Sequence, residues 1–352
     1  MGVLVVNAGS SSLKLSVLDG DDVVAERTLE RWDGTGGVEE FLADAPEVAA
    51  VGHRVVHGGP DFAGPVVLDA GSRASIERLT DLAPLHQPRA LAGIDAVTSL
   101  LPDVPQVACF DTAFHHTMPG FAATYAVPSR WRDEWGVRRY GFHGLSHAYA
   151  SRRAAELAGG SRVVTCHLGA GCSLAAVRDG RSVDTTMGFT PLAGLVMATR
   201  SGDVDPGLLV WLLRKGKLSA AELEDELEHR SGLLGLSGSA DLRDVHRAGT
   251  PEAELAVEVF VHRLRQGIAA MVASLGGVDA VVFTGGVGEH DALVRRRTVD
   301  GLGFLGVALD PERNAGRTGD EVVSADGSAV AVVVVRARED LEIAAGVRRV
   351  LG

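Results

Sequence analysis

Residues 3–14 read VLVVNAGSSSLK, an apolar strand-like run and then a turn of glycine and serines that ends in a lysine. Residues 163–173 read VVTCHLGAGCS and repeat this order. At an offset of 160 residues, the chain matches itself at Val3 and Val163, Gly9 and Gly169, Val17 and Val177, Asp19 and Asp179, Gly20 and Gly180, and Val23 and Val183. Each copy ends in an Asp-Gly hairpin signal between β-prone runs. The repeat predicts a duplicated domain, with a ligand bound in the cleft between the copies.

The length and net charge of the chain restrict its number of domains and the kinds of partner it can bind. Its 352 residues suit two domains, because a single core rarely grows beyond about 250–300 residues. A formal net charge of -12 argues against a dedicated binder of nucleic acid or anionic membrane, which needs a basic face. No signal-peptide pattern opens the sequence, and the apolar run at 329–335 is far too short to span a bilayer. We expect a cytoplasmic protein with reduced cysteines.

Valine-rich runs alternate with amphipathic stretches, which is the pattern of an α/β protein. The predicted strands are residues 3–6, 48–56, 106–110, 162–167, 278–284 and 329–335. The predicted helices include residues 90–100, 146–157, 206–213, 220–230 and 251–275.

Three glycine turns at strand ends are candidate phosphate sites. In the first, Gly9 lets successive N–H groups point at one anion, and Lys14 adds a positive charge. The second turn is residues 167–173, and the third is residues 283–290, where a nucleotide could lie against bare backbone. The Walker A spacing G-x-x-x-x-G-K-[ST] is absent from the sequence. An ordinary polar hairpin is the alternative for the first turn.

Two other motifs are interpreted as structural. Residues 301–306, GLGFLG, match the dinucleotide pattern G-x-G-x-x-G, but they follow a charged helical stretch. Asp310-Pro311 comes next, so we expect no helix start there and interpret the motif as a turn. His143 and His147 have metal-like spacing, yet the sequence has neither H-E-x-x-H nor a zinc-type cysteine pair. Histidines that cap a loop or stabilise an anion are favoured over zinc.

Three charged residues stand where a cleft could use them. Arg54 and Arg200 each end an apolar stretch and are followed shortly by glycine. A guanidinium matches the oxygens of carboxylates and phosphates in a bidentate fork. Asp111 closes a strand, where α/β proteins place functional side chains. A structural ion pair is the alternative for each of them.

Two segments resemble the signatures of acetate kinases. Residues 7–14 are similar to the first signature, and residues 184–194, DTTMGFTPLAG, are similar to the second. Supporting blocks follow the family order along nearly the whole chain, at residues 53–59, 83–86, 110–115, 139–144, 231–235 and 286–289. The resemblance implies an α/β fold of two duplicated ribonuclease H-like domains of the acetate and sugar kinase, Hsp70 and actin type, with an interdomain cleft.

The resemblance also implies roles for individual residues. Asn7 and Glu339 correspond to the site of Mg²⁺ or Mn²⁺. The catalytic residues are Asp111, His143 and Arg200, and the acetate site is Arg54 with Val56, Leu85, Phe142 and Pro191 around the methyl group. ATP or ADP contacts Lys14, His167, Leu168, Gly169, Ala170, Gly171, Asp241, Leu242, Arg243, Gly286, Val287, Gly288, Glu289 and His290.

The implied reaction is reversible transfer of the γ-phosphoryl group of ATP to acetate, giving acetyl phosphate and ADP. The expected N-terminal domain is residues 1–148, joined by the helix at 339–352, and the nucleotide-binding domain is residues 149–338. The expected assembly is a homodimer without nucleic acid or membrane partners.

Three alternatives to acetate kinase remain open at this point. Propionate or butyrate is an alternative substrate, because one methylene in an apolar pocket is worth about 1–3 kcal/mol. An ATPase of the Hsp70 or actin type would share the nucleotide loops but would not need the pocket of Arg54, Phe142 and Pro191. A nicotinamide dehydrogenase would rest on residues 301–306.

Several positions depart from the family pattern. They are Gln87, Ala170, Ala193, His290 and residues 337–341, AREDL. The chain is also shorter than typical members before Val51. The residues proposed for the chemistry are all retained.

Overall fold

A computed structural model describes residues 2–9, 12–32, 34, 36–84 and 86–352. The strands are β1 (Gly2–Ala8), β2 (Ser12–Asp19), β3 (Asp22–Glu30), β4 (Ala50–Val55), β5 (Val66–Val67), β6 (Gln106–Phe110), β7 (Arg162–Leu168), β8 (Cys172–Arg178), β9 (Arg181–Thr185), β10 (Ala280–Thr284), β11 (Glu321–Val322) and β12 (Ala331–Val334). The helices are α1 (Val38–Asp44), α2 (Ala70–Arg78), α3 (Gln87–Leu100), α4 (Gly120–Ala123), α5 (Ser129–Trp135), α6 (Gly144–Ala158), α7 (Pro206–Arg214), α8 (Ala220–His229), α9 (Gly232–Ser237), α10 (Leu242–Ala248), α11 (Pro251–Leu275), α12 (Gly285–His290), α13 (Ala292–Asp300), α14 (Pro311–Gly316) and α15 (Glu339–Leu351). Short 3₁₀ helices span Thr80–Leu82, Ala113–Thr117 and Gly303–Leu305.

The described residues form two compact units. The first unit comprises the residues up to His116 together with Phe142–Tyr149 and Arg338–Gly352. The second unit comprises Thr117–Gly141 and Ala150–Ala337. Each unit contains one sheet.

The sheet of the first unit has the strand order β3-β2-β1-β4-β6-β5. β1, β2 and β3 form an antiparallel meander, whereas β1, β4 and β6 are parallel and β5 is an antiparallel edge strand. Because the carboxyl ends of parallel strands lie at one edge of a sheet, the residues that end β1, β4 and β6 are neighbours.

Both faces of the first sheet are covered, which explains the continuous apolar runs in its strands. Successive side chains of a strand point to opposite faces. Val5 accordingly belongs to one core cluster with Ile343 of α15, and Val6 belongs to another with Val97 of α3. Burying an aliphatic side chain of this size contributes about 1.5–3 kcal/mol, so the last helix is a substantial part of this core.

The sheet of the second unit has the order β11-β12-β10-β7-β8-β9 and repeats the first sheet strand by strand. β7, β8 and β9 form the meander, β7, β10 and β12 are parallel, and β11 is the antiparallel edge strand. The predicted duplication and the α/β fold class are confirmed by this topology.

The hairpins of the two copies differ by one residue. Asp179-Gly180 forms the turn between β8 and β9, as predicted. Between β2 and β3 the turn is Gly20-Asp21, since Asp19 pairs with Asp22, so the prediction that Asp19-Gly20 forms the turn is wrong. The β1–β2 pairing is already shifted by one residue relative to the β7–β8 pairing, since Val3 pairs with Leu18 whereas Val163 pairs with Val177.

Two predicted elements have the same bounds in the structure. The strand predicted at 106–110 and the helix predicted at 251–275 coincide with β6 and α11. The prediction that no helix starts at Asp310-Pro311 is wrong. Asp310 is the N-cap of α14 and accepts hydrogen bonds from the backbone of Glu312 and Arg313, while Pro311 fits the first turn, where its missing N–H costs nothing.

The cysteines are buried and unpaired with one another. Cys109, Cys166 and Cys172 are free thiols, and burial raises the pKa of Cys109 and of Cys172 to about 12. Such thiols carry little thiolate and are unreactive. Among the described residues, no helix is both long and apolar enough to cross a membrane.

Candidate active site

Arg54 and Asp111 form the centre of the candidate site in the first unit. Arg54 lies near the end of β4, and Asp111 follows the neighbouring parallel strand β6. Arg54 donates from Nη2 to Asp111 Oδ2 at 2.7 Å and from Nε to Asp111 Oδ1 at 3.2 Å. This fork fixes the plane of the guanidinium group at the edge of the sheet.

Glu339, the first residue of α15, reaches this pair because α15 packs closely on β4. At Gly52 in β4, a Cβ would lie 2.5 Å from Ile343 Cγ2 and 2.7 Å from Val347 Cγ2, so the approach requires glycine. Glu339 is one helical turn before Ile343, and Arg54 is two residues after Gly52 on the same face of the strand. The two side chains therefore meet, with Arg54 Nη1 at 3.6 Å from Glu339 Oε2.

Asn7, near the end of β1, joins both charged groups. Its Nδ2 donates to Glu339 Oε2 at 2.9 Å, and its Oδ1 accepts from Arg54 Nη1 at 3.2 Å. Lys14 stands directly opposite Asn7 in the β1–β2 ladder and is exposed. Because opposite residues of a ladder share a face, Lys14 lies on the same face of the sheet as the Asn7 side chain.

The charge balance of this cluster suits a divalent cation. Asp111 is 1% exposed, and burial raises its pKa to about 6, since loss of hydration outweighs the attraction of Arg54. At neutral pH one guanidinium therefore faces two carboxylates, those of Asp111 and Glu339. Mg²⁺ prefers such hard oxygen donors and usually takes only one or two of them from protein, with water and phosphate as the other ligands. Accordingly, the described residues include no group of three or more His, Cys, Asp or Glu side chains that could hold a metal alone.

His143 has an unusual backbone conformation beside this cluster. Its φ is 56°, in the left-handed region that residues other than glycine rarely adopt. Helix α6 begins at the next residue, Gly144, whose N–H donates to the Asp111 carbonyl at 2.9 Å. A Cβ at Gly144 would lie 2.1 Å from that oxygen, so the close approach requires glycine. Strain of this kind is concentrated at functional sites.

Two predicted pocket residues, Val56 and Phe142, are buried in the same unit. His57, which follows Val56, places its ring 5.4 Å from the Phe142 ring in an edge-to-face arrangement. His115 Nε2 lies 2.9 Å from the Phe142 carbonyl, which can only accept, so this nitrogen carries the proton. Leu85 lies outside the described residues.

In the second unit, the structure places two predicted nucleotide segments side by side. Thr284 at the end of β10 pairs in register with His167 of the parallel strand β7. Gly285 follows with φ 78°, and a Cβ there would lie 2.8 Å from the Leu168 carbonyl oxygen. Within the glycine turn predicted at 283–290, Gly285–His290 form the short helix α12, whose first residue lies against the backbone of β7.

The end of α12 is held by a buried arginine. Arg295 is 1% exposed and donates from Nη1 to the carbonyls of Gly288 and Glu289 at 2.8 and 2.9 Å. Its Nε donates to Asn314 Oδ1 at 2.7 Å, and Arg317 Nε donates to the same Glu289 carbonyl at 2.9 Å. Burial lowers the pKa of Arg295 to about 10, which leaves it charged at neutral pH. The predicted segment Gly286–His290 is thus anchored to α14.

The third predicted segment, at the start of α10, belongs to the same unit. Asp241 caps α10 by accepting from the Arg243 N–H at 2.9 Å. The Arg243 side chain folds back on Asp241 and lowers the pKa of that carboxyl to about 2. His246 Nε2 lies 2.8 Å from Asp291 Oδ2, which connects α10 to the residue that follows α12.

Arg200 and Pro191 are also brought together in the second unit. Arg200 donates from Nη1 to the Pro191 carbonyl at 3.3 Å and forms an ion pair from Nε to Glu228 Oε2 at 3.0 Å. Ala170, in the turn after β7, accepts from the Ala198 N–H at 3.1 Å. The segment that follows the second signature therefore lies beside the glycine turn after β7.

Three residues that support the predicted site segments could not be recognised from the sequence, namely Glu228, His246 and Arg295. Each lies in a charged helical stretch, and such residues are usually solvated. Arg295 in particular opens a run of three arginines that resembles an exposed face. Nothing in the local pattern distinguishes the buried member from the others.

Comparisons with known proteins show the family of the chain. The sequence profile of the Acetokinase family matches residues 37–345. The chain belongs to the Acetokinase family. The family membership predicted from residues 7–14 and 184–194 is therefore confirmed.

Named relatives cover most of the chain. The acetate kinase of Nostoc punctiforme is 51% identical over 306 residues, which cover 85% of this chain and 75% of that protein. The crystal structure of Porphyromonas gingivalis acetate kinase superposes with a TM-score of 0.92 at 38% identity and covers 100% of both chains. A propionate kinase from Francisella tularensis superposes with a TM-score of 0.90 at 34% identity, over 99% of this chain and 100% of that chain.

Proposed function

We propose that the protein is an acetate kinase, which transfers the γ-phosphoryl group of ATP reversibly to acetate and gives acetyl phosphate and ADP. The observation that carries this proposal is the position of Arg54, a fixed guanidinium beside the oxygen donors of Asn7 and Glu339. A carboxylate site thus adjoins a cation site at one sheet edge. Membership in the Acetokinase family and the names of the relatives support the same reaction.

The acceptor needs no general base. An aliphatic carboxylate ionises near the pKa of glutamate, about 4.3, and is already an anion at neutral pH. One carboxylate oxygen forms a bond to the γ-phosphorus while the bond from that phosphorus to the β–γ bridging oxygen breaks in line, and ADP leaves with the electron pair. Catalysis then rests on orientation and on neutralisation of phosphoryl charge.

Each residue of the first unit has a task in this scheme. Arg54 binds the acetate carboxylate, and Asp111 orients Arg54 through the fork at 2.7 and 3.2 Å. Val56 and Phe142 border the methyl group, together with Leu85. His143 stabilises the transferring phosphoryl group.

The nucleotide is assigned to the second unit. The family uses ATP and ADP as co-substrates. Lys14 interacts with the phosphates, and the contacting segments are His167 to Gly171, Asp241 to Arg243 and Gly286 to His290. Arg200, held by Glu228, stabilises the charge of the transferred group.

Asn7 and Glu339 would hold Mg²⁺ or Mn²⁺ that arrives with the nucleotide. The excess of carboxylates over guanidinium in the cluster fits a divalent cation. When bound, the metal neutralises phosphate charge.

The decisive experiment measures ADP release by the purified protein with ATP and Mg²⁺. Four reactions receive acetate, propionate, butyrate or no acid. We expect release to depend on the acid and to be fastest with acetate. Equal rates in all four reactions would identify an ATPase without a carboxylate acceptor and would overturn the proposal.

Propionate is the second candidate substrate, and one observation favours it. The chain superposes with a TM-score of 0.90 on a structure named propionate kinase. Because one methylene changes binding by about 1–3 kcal/mol, we expect propionate to be used with lower kcat/KM than acetate. The same four reactions rank the two substrates.

A cytoplasmic homodimer is part of the proposal. Helix α7, which is described throughout, has no buried residue. Its exposed apolar side chains are Leu208, Val210, Trp211 and Leu213. Exposed apolar surface of this kind suits a subunit interface. Sedimentation of the wild type and of Trp211→Glu tests it, since the substitution should yield monomers.

The domain boundaries are also a proposal. We place one domain at residues 1–148 with 339–352 and the other at residues 149–338, a division that differs from the compact units, in which Thr117–Gly141 belong to the second. The packing of Ile343 and Val347 with Val3 and Val107 supports inclusion of the last helix in the first domain.

A further inference from the structure

Gln87, the first residue of α3, binds the backbone of a neighbouring segment with its side chain. It is fully buried, at 0% exposure. Its Nε2 donates to the His57 carbonyl at 2.9 Å and to the Ile76 carbonyl at 3.2 Å, and its Oε1 accepts from the His57 N–H at 3.3 Å. Both backbone groups of His57 are therefore satisfied by one amide.

The backbone segment at residues 57–59, which Gln87 contacts, is held in position by side-chain hydrogen bonds and not by pairing with a strand. β4 ends at Val55, before this segment. The Gly58 N–H donates to Thr112 Oγ1 at 2.9 Å, and the Gly59 N–H donates to His57 Nδ1 at 2.9 Å. A buried backbone without a ladder takes its position from such contacts, so one substitution can shift it.

His57 is connected to the proposed acetate pocket in two ways, through its chain neighbour Val56 and through a ring contact with Phe142. Val56 precedes it in the chain and is buried. The His57 ring packs edge-to-face on Phe142 with ring centroids 5.4 Å apart. Displacing the His57 backbone would therefore move two of the residues proposed to border the methyl group.

We propose that Gln87 is a positioning residue that sets the size of the acyl pocket through His57 and thereby limits the length of the carboxylate. This inference rests on the proposed function. The amide of Gln87 reaches His57 and Ile76 together. Loss of this contact would let the segment relax and admit a larger alkyl group.

Two variants of Gln87 test the proposal. Gln87→Leu and Gln87→Met keep most of the side-chain volume but remove the hydrogen bonds. We expect the ratio of kcat/KM for propionate to that for acetate to rise about tenfold in both, which is the lower end of the range of about 10–200-fold that one methylene provides. The KM for ATP should change less than twofold.

Gln106→Asn is the matched control. Gln106 is also a buried glutamine bound to a histidine, with its Oε1 2.7 Å from His53 Nε2. It opens β6, whereas Asp111 follows the other end of that strand. This variant should lower the melting temperature without changing the ratio of the two substrates.

The outcomes separate this inference from the proposed function. A wild type without carboxylate-dependent ADP release would overturn the proposed function itself. An unchanged ratio in folded Gln87 variants, or the same change in Gln106→Asn, would overturn the role of Gln87 while leaving the kinase activity in place. If neither Gln87 variant folds, the residue serves stability and the inference is rejected.

Discussion

Asn7 and Glu339 are 332 residues apart in the sequence and are joined by a hydrogen bond of 2.9 Å. The first strand and the last helix thus build one site, in which Arg54 contacts both side chains. The cluster is complete only when α15 has docked on β4 against Gly52. Formation of the proposed cation site therefore depends on the carboxyl-terminal helix.

Glu339→Gln should weaken the use of Mg²⁺ while the fold persists. The new amide keeps an acceptor for Asn7 but removes one of the two negative charges near Arg54. We expect the Mg²⁺ concentration for half-maximal activity to rise about tenfold, with little change in melting temperature. Glu342→Gln is the control, because Glu342 lies on the same helix but lines a separate cavity with Cys109 and Gly346. An equal effect in both variants would contradict the assignment of Glu339.

The pH dependence of activity should report on Asp111. Its pKa in the folded protein is raised to about 6 by burial, and protonation would remove the charge that orients Arg54. We expect kcat/KM for acetate to fall about tenfold per pH unit below about pH 6. Acetate cannot cause this midpoint, because it stays ionised down to about pH 5. A flat profile between pH 7 and 5 at saturating ATP and Mg²⁺ would contradict this role.

The contribution of Asp111 to stability changes with pH in the opposite direction to its contribution to activity. Its folded-state pKa lies above the unfolded value of about 3.9, so the folded state holds the proton more tightly. The stability from this group is present below about pH 3.9 and is lost as the pH rises through about 6. Asp111→Asn should therefore flatten this part of the dependence of unfolding free energy on pH, which urea titrations between pH 4 and 7 can measure.

Much of the fold could be predicted from the sequence because its patterns are local. β6 is a buried apolar run, and α11 keeps one apolar period over seven turns, so both were predicted residue for residue. The duplicated order of turns predicted the second sheet. The start of α14 was missed because proline was interpreted as a helix stop, although at the first helical position it favours a start.

The candidate site was less predictable because it depends on contacts between distant residues. Arg54 and Asp111 could be singled out, since each stands at the end of an apolar run. Glu339 entered only through the resemblance to acetate kinases. Gln87 and Glu228 carry no local signal, because burial and pairing arise only when separate helices pack.

A pair of glycine substitutions should separate folding from nucleotide binding in α12. Gly285→Ala places a methyl group 2.8 Å from the Leu168 carbonyl at a φ of 78°, so we expect a loss of about 1–3 kcal/mol in unfolding free energy. Gly286→Ala meets no described atom within 4 Å, so its melting temperature should be unchanged or slightly raised. If Gly286 faces the nucleotide as proposed, its variant should still raise the KM for ATP. Equal melting temperatures for the two variants would contradict this division.

Arg200→Ala should lower kcat much more than it raises the KM for acetate. Glu228 holds the Arg200 guanidinium at 3.0 Å, and both side chains are largely buried. An arginine fixed in this way is suited to charge that develops on the phosphoryl group during transfer, and contacts made only in the transition state affect kcat. We expect a loss of about 10²–10³ in kcat, with a change in KM below about threefold.

Glu228→Gln should have a smaller effect on kcat than Arg200→Ala. It removes the charge that orients Arg200 but keeps the arginine, so we expect a smaller loss in kcat of about tenfold. Arg230→Ala is the control, because Arg230 is exposed and pairs only with Asp225 among the described residues. Steady-state kinetics with acetate varied at saturating ATP measure all three variants. A rise in KM with unchanged kcat in Arg200→Ala would make Arg200 a ground-state binding residue, and the transition-state role would then be wrong.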